Sequence, residues 1–186
     1  MDMGDHSKSV DDLMCMGKQV FRPYTRPDRA EKVKTTCGGY EIVALALTDK
    51  DCNEFVHTNT DSTECPNYGF LIMHKDVPDF KMFYATDCQY IKWKLPTLSY
   101  ALLGVDYATS MLDVENANKF QHQIQGHLSI DTACEFIKAN EITDKIILTH
   151  LSVTNADADS FKAKAESVAT CSVCTTEPNF EITIKE

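Results

Sequence analysis

The chain has little of what the common nucleotide-binding and membrane classes require. Among 186 residues there are seven glycines, and none is arranged as Gly-x-Gly-x-x-Gly or as a phosphate-cradling Gly/Lys loop. That argues against dinucleotide-binding and P-loop chemistry. Positive charge is scarce: 18 Lys and Arg stand against 28 Asp and Glu, a formal net charge of −10. Non-specific affinity for nucleic acid is therefore not expected from the whole surface. A nucleic-acid substrate would need bound metal ions or a local basic patch. Arg22, Arg26, Arg29, Lys32 and Lys34 are the candidates for such a patch, and a solvated surface segment is the plainer reading of them. No apolar run is long enough to span a membrane, and no secretory leader is recognisable. Internal repeats, low-complexity tracts and a clear linker are also missing.

Cysteine is present, but zinc-knuckle spacing is not. Of the eight cysteines, only Cys171-Ser-Val-Cys174 form a C-x-x-C, and a knuckle needs a second pair. Most of the eight lie within apolar patterns, so they read as reduced core thiols of a cytoplasmic protein. The length fits one domain, residues 1–186, with room for a real core.

Hydrophobic periodicity gives the order of elements. A helix is expected over 7–16, with Val10, Leu13 and Met14 on one face and Gly17 as its stop. Strands are expected over 18–22, 41–48, 54–57, 69–73, 80–85, 98–105, 146–149 and 180–185. A short helix is expected over 28–34, a turn at Gly38-Gly39 and a loop over 58–67. His74, in the connection between two hairpin strands, reads as solvent-exposed. Helices follow over 108–124, 129–139 and 157–168; the second has Ser129 as N-cap and Ile130, Ala133, Cys134 and Ile137 as its apolar stripe. The run at 146–149 is almost wholly apolar, as in a sheet covered on both faces. Strands come first and alternate with helices later. This implies a layered α+β or α/β sandwich rather than a doubly wound nucleotide fold.

Polar groups stand where strands end or helices begin: Asp5-His6, His57, Asp87 and His150. Strand ends are rigid and open toward a shared rim, so side chains distant in sequence can converge there. Taken singly, Asp87 is a turn former or a ligand, and His150 is a capped structural residue or a ligand. Asp5-His6 fixes a carboxylate beside an imidazole at a helix start, a good beginning for a metal site.

Taken in order, Asp5-His6, His57, Thr86-Asp87 and Thr149-His-Leu-Ser152 resemble the metallo-β-lactamase superfamily of metal-dependent hydrolases from its second motif onward. Tyr68-Gly69-Phe-Leu-Ile, Gly104-Val-Asp-Tyr107 and Gly126-His127-Leu-Ser-Ile-Asp-Thr-Ala133 look like its phage and bacterial small phosphodiesterases, and His127-Leu-Ser129 also resembles a segment of its ribonuclease Z-like members. The resemblance runs from Met1 to about Val168. It implies a partial αββα sandwich and a Zn²⁺ or Mn²⁺ cofactor, one or two ions per chain. The implied ligands are Asp5, His6, His57, Asp87 and His150, with Asp87 bridging two ions. Asp5 and His127 are the implied catalytic residues, His127 giving a proton to the leaving oxygen or stabilising phosphoryl charge.

The sequence departs from the family signature H-x-H-x-D-H by carrying Met1 and Met3 in place of its first two histidines. Thioether sulfur is a poor ligand for these ions beside hard carboxylates. The resemblance therefore implies a weakened first-metal site and a chain lacking the family's first strands. Such a chain would act on a phosphodiester, in a nucleic acid or a cyclic nucleotide, with impaired activity. An exposed sheet edge would favour a homodimer or a complementing chain. Two other readings stand beside it: an inactive binding or assembly module on the same fold, and an acidic interaction protein whose histidines are all structural.

Overall fold

The computed structural model describes residues 10–21, 23, 33–53, 56–58, 64–176, 180, 181 and 183. Helix α1 (Val10–Cys15) ends at Gly17, whose φ is +73°. Gly17 N–H donates to the Met14 carbonyl and Lys18 N–H to the Leu13 carbonyl, the paired bonds of a Schellman stop. Strands β1 (Lys34–Cys37) and β2 (Tyr40–Ala46) form a hairpin. Its Gly38-Gly39 turn has φ of +54° and +90°, the doubly positive geometry that glycine adopts without strain. Strands β3 (Val56–Thr58) and β4 (Glu64–Pro66) make a separate two-stranded ribbon.

The main sheet continues with β5 (Tyr68–His74), β6 (Val77–Ala85) and β7 (Leu98–Gly104). Helices α2 (Ala117–Gly126) and α3 (Ile130–Ala139) come next, then β8 (Ile142–Thr149), α4 (Ala158–Glu166) and β9 (Ser172–Thr175). The order across the seven-stranded sheet is β1-β2-β5-β6-β7-β8-β9. From β1 to β6 the pairs are antiparallel; from β6 to β9 they are parallel. The parallel half aligns the carboxyl ends of β6, β7 and β8 along one edge, the usual place for a ligand site in such sheets.

Register explains the core. Val43, Leu71, Phe83, Ala101, Ile146 and Val173 are successive partners across the strands. They share one face, because side chains alternate along each strand. That face packs with Phe136 and Ile137 of α3 and Phe161 and Ala165 of α4. The rings of Phe83 and Phe136 stack with centroids 5.4 Å apart. Ile146, Ile147 and Leu148 are all fully buried, so the carboxyl half of β8 is covered on both faces, as the nearly continuous apolar run at 146–149 implies. Ser129 caps α3 by accepting from Thr132 N–H at 3.1 Å, and Asp157 caps α4 through Ser160 N–H at 2.7 Å. No helix among the described residues is long and apolar enough to cross a membrane.

Several expectations are corrected. Residues 18–21 are irregular, because the chain leaves α1 through the Gly17 stop and pairs with no strand among the described residues. The helix expected over 28–34 ends in error: residues 28–32 lie outside the described residues, while Lys34 begins β1. Thr35 and Thr36 favour extended backbone, and the glycine turn closes the hairpin. The loop expected over 58–67 contains β4, whose terminal Pro66 is tolerated in a short ribbon without inner neighbours. The helix expected over 108–124 starts only at Ala117, after a 3₁₀ turn at Thr109–Met111. Asp113 accepts from Glu115 N–H, a local turn that competes with helix. The described residues 180, 181 and 183 carry no strand. His74 is half-buried, its ring edge-on to Tyr40 at 4.7 Å.

Candidate metal centre

Three parallel strands deliver polar groups to one rim. Asp87 lies two residues past the end of β6, Asp106 two past the end of β7, and His150 one past the end of β8. His127 comes from the connection between α2 and α3. That connection is laced to the β7 end: Asp106 N–H donates to the Leu128 carbonyl, and Ile130 N–H to the Tyr107 carbonyl, each at 2.9 Å. Ser152 N–H donates to the Asp106 carbonyl at 3.2 Å, which ties in the segment after His150.

The backbone at this rim is unusual. Only three described non-glycine residues have positive φ, and two of them are Asp87 (+53°) and His150 (+59°). Asp and His tolerate this conformation better than bulky residues, and such backbone clusters at functional sites. The Asn67 side chain holds the Asp87 turn by donating to the carbonyls of Thr86 and Asp87. Gly104 makes room for it, since a Cβ there would sit 2.9 Å from the Thr86 Cα.

The side chains converge. Asp87 Oδ1 is 3.3 Å from His127 Nδ1 and 3.3 Å from His150 Nε2. The two imidazoles stack with centroids 5.6 Å apart and planes 20° from parallel. One ligand atom from each of Asp87, His127 and His150 lies within 4.8 Å of the other two. Behind His150, its Nδ1 faces Asp106 Oδ1 at 3.6 Å, long for a hydrogen bond and best described as an ion-pair contact. Asp106 is buried and accepts from Gln123 Nε2 through Oδ2 at 2.7 Å.

Electrostatics follow from these contacts. Burial works to raise the Asp106 pKa, but His150, Gln123 and the charge of His127 outweigh it and hold the carboxyl below its ordinary value. The contact with Asp106 raises the His150 pKa; partial burial opposes this, and the charges of Asp87 and Asp106 add to it. Cys88, next to Asp87, turns inward to the core. Burial, then the Asp87 charge, pushes its thiol up to about 12, so it is neither a ready thiolate ligand nor a nucleophile.

Of the residues singled out in the sequence, the fold brings Asp87, His127 and His150 together. Asp5 and His6 lie outside the described residues. The backbone of His57 lies in β3, opposite Cys65. Asp106 carries no role in the sequence, although it lies within the Gly104-Val-Asp-Tyr107 segment of the resemblance. One signal could have found it: Asp106 follows its apolar strand by the same two residues as Asp87. The donor set suits a divalent cation. One carboxylate and two imidazoles match borderline or hard ions such as Zn²⁺ or Mn²⁺, and three protein donors leave a position open.

A mixed sheet with helices packed on it and a polar rim at the strand ends make an α+β fold consistent with a partial metallo-β-lactamase fold. A crystal structure of the metallo-β-lactamase fold protein YhfI from Bacillus subtilis is similar, with a TM-score of 0.54 and 14% sequence identity. The match covers 94% of this chain and 60% of that one, so this chain spans less than two thirds of its structural neighbour. No protein-family model matches the chain, and no curated protein matches its sequence.

Proposed function

We propose that the chain is a metal-dependent hydrolase whose divalent cation is held by Asp87, His127 and His150, and that its substrates are phosphodiesters. One observation carries the metal reading. Donors from three separate segments of the chain meet within 4.8 Å, on backbone that two of them hold in the left-handed region. Maintaining such backbone costs energy, and a ligand site accounts for it. The phosphodiester reading draws on the ordered resemblance of Asp5-His6, His57, Thr86-Asp87 and Thr149-His-Leu-Ser152. By that resemblance Asp5 and His6 complete the coordination.

When bound, the cation supplies Lewis acidity and lowers the pKa of a bound water. The chain's own residues supply position. Asp87 offers one oxygen, Oδ1, that both imidazoles face. Asp106 faces Nδ1 of His150 and leaves Nε2 turned toward Asp87. We read His127 as the third donor, because its Nδ1 faces the same Asp87 oxygen as His150. As a proton donor to the leaving oxygen it would act from the same place. His127→Ala separates the two roles: a donor's loss weakens metal binding, whereas an acid's loss leaves binding intact and slows turnover.

The test is a metal titration followed by hydrolysis of bis-nitrophenyl phosphate and cyclic nucleotides. At least one tightly bound Zn²⁺ or Mn²⁺ per chain is expected, with metal-dependent turnover. No bound metal would overturn the reading. Metal without turnover of any of these esters favours the second reading, a metal-binding module without catalysis, which Met1 and Met3 support.

A further inference from the structure

Behind the rim, Asp106 continues into a chain of buried polar side chains that the metal reading does not otherwise use. Asp106, Gln123 and Asn155 are each at most 8% exposed. They come from three places: the end of β7, the last turns of α2, and the segment after β8. Gln123 Nε2 donates to Asp106 Oδ2 at 2.7 Å, and the Asn155 amide meets Gln123 Oε1 at 2.7 Å. With its amide turned over, Asn155 still touches Gln123 and also donates to the carbonyls of Met111 and Thr154. The contact between the two amides holds in either orientation.

Gln123 occupies the middle of this chain and is joined to His150 through Asp106. Its side chain takes one oxygen of Asp106, which leaves the other, Oδ1, to face His150 Nδ1. Its backbone carbonyl accepts from His127 N–H at 3.1 Å. The side chain therefore sets the Asp106 carboxylate behind the His150 ring, while the backbone bond only continues the α2 ladder to His127, as any residue at this position would. The Asn155 carbonyl accepts from Ala108 N–H at 3.0 Å, which closes the knot between the segments after β7 and β8. A buried amide is a suitable choice here. It donates to a carboxylate while bonding a neighbouring amide, and it adds no charge to an already acidic pocket.

We propose that Gln123 is a positioning residue: by fixing the Asp106 carboxylate, its side chain holds the His150 imidazole in register with Asp87 and His127. It touches neither of the two rings with its side chain and acts only through its neighbours. Its effect on metal affinity rests on the metal reading above. Its effect on ring orientation does not.

The test uses Gln123→Leu and Gln123→Glu in the full chain. The glutamate variant keeps the side chain's size but replaces the donor toward Asp106 with an acceptor, so it needs no cavity and stays informative if the leucine variant does not fold. Two quantities are read. The first is the tautomer of the neutral His150 ring in metal-free protein, from its two ¹⁵N shifts at alkaline pH. The second is Zn²⁺ affinity by competition with a chromophoric chelator. In the parent protein the His150 proton should sit on Nδ1, facing Asp106. In the variants that preference should be lost, and Zn²⁺ affinity should fall about 10–100-fold, as when the outer partner of a metal ligand is removed. A purely structural role would lower the unfolding temperature and leave the tautomer unchanged. Retention of the Nδ1 tautomer with affinity within about twofold of the parent would overturn the proposal. If the parent binds no zinc, the metal reading falls and the tautomer alone decides the role of Gln123.

Discussion

The two ends of the central strands handle buried polarity in opposite ways. At the amino end of β8, the buried Asn140 spends its whole amide on backbone. It accepts from Leu95 N–H at 2.7 Å and donates to the carbonyls of Phe136 at 2.9 Å and Trp93 at 3.4 Å. Nothing is left to point outward, and that end is structural. At the carboxyl end, Asp106, Gln123 and Asn155 satisfy one another, while Asp87, His127 and His150 turn toward a shared point. Burial of polar groups does not by itself mark a site. What marks one is burial that supports converging donors, on backbone that sheet geometry alone would not choose.

Four perturbations sharpen this contrast, from the largest expected effect to the smallest. His150→Ala should abolish stoichiometric metal binding while leaving the fold intact, since the side chain is 45% exposed and outside the core; equilibrium dialysis beside circular dichroism would show both. Gly104→Ala should damage both fold and site. Its Cβ would press on Thr86, next to Asp87, and overpacking of this kind costs about 1–3 kcal/mol. Denaturant unfolding should register the loss, and metal titration should show weaker binding.

Asn140→Ala should behave differently. It leaves the half-buried N–H of Leu95 without its partner and removes the amide's bond to the Phe136 carbonyl, at a cost of about 1–3 kcal/mol. Metal affinity should stay at the parent value. If Asn140→Ala weakened metal binding as much as Gly104→Ala, the contrast between the ends would collapse.

The smallest effect is on pH dependence in the metal-free protein. The His150 pKa is raised from 6.5 in the fold. Its pairing therefore stabilises fully below that value, and the contribution fades as pH rises through the folded pKa. The Asp106 pKa is lowered from 3.8, so its contribution is present above that value and is lost as acid carries pH through the folded pKa. Both operate together between about 4 and 6.5. Because His150 is nearly half exposed, solvent screens the pair and the effect is modest. Thermal unfolding across pH should show a shallow maximum in that window, flattened by Asp106→Asn.

Much of the sheet was legible from periodicity. The runs at β2, β5, β6, β7 and β8 carry enough branched and aromatic residues to declare themselves, and Ser129 announces α3 through its capping geometry. Less visible were elements fixed by pairing rather than by their own residues. The strand β4, Glu-Cys-Pro, has no strand signature apart from its partner β3. Lys34 reads as the end of a helix and Thr35-Thr-Cys37 as nothing in particular, until the Gly38-Gly39 turn closes the segment onto β2.

The site divides the same way. Asp87 and His150 stand at strand ends and could be picked out in sequence. That His127 approaches the same Asp87 oxygen as His150 depends on the α2–α3 connection folding back onto the β7 end. The relay through Gln123 joins residues 17 and 32 positions apart, with no periodicity to announce it.

X-ray absorption at the zinc edge, on protein loaded with one Zn²⁺ per chain, tests the metal centre most directly. The shell should contain nitrogen and oxygen only, at about 2.0–2.2 Å, with at least two imidazoles, and one imidazole should disappear in His127→Ala. A sulfur neighbour, or a spectrum of hydrated zinc indifferent to His127 and His150, would contradict a metal held by Asp87, His127 and His150.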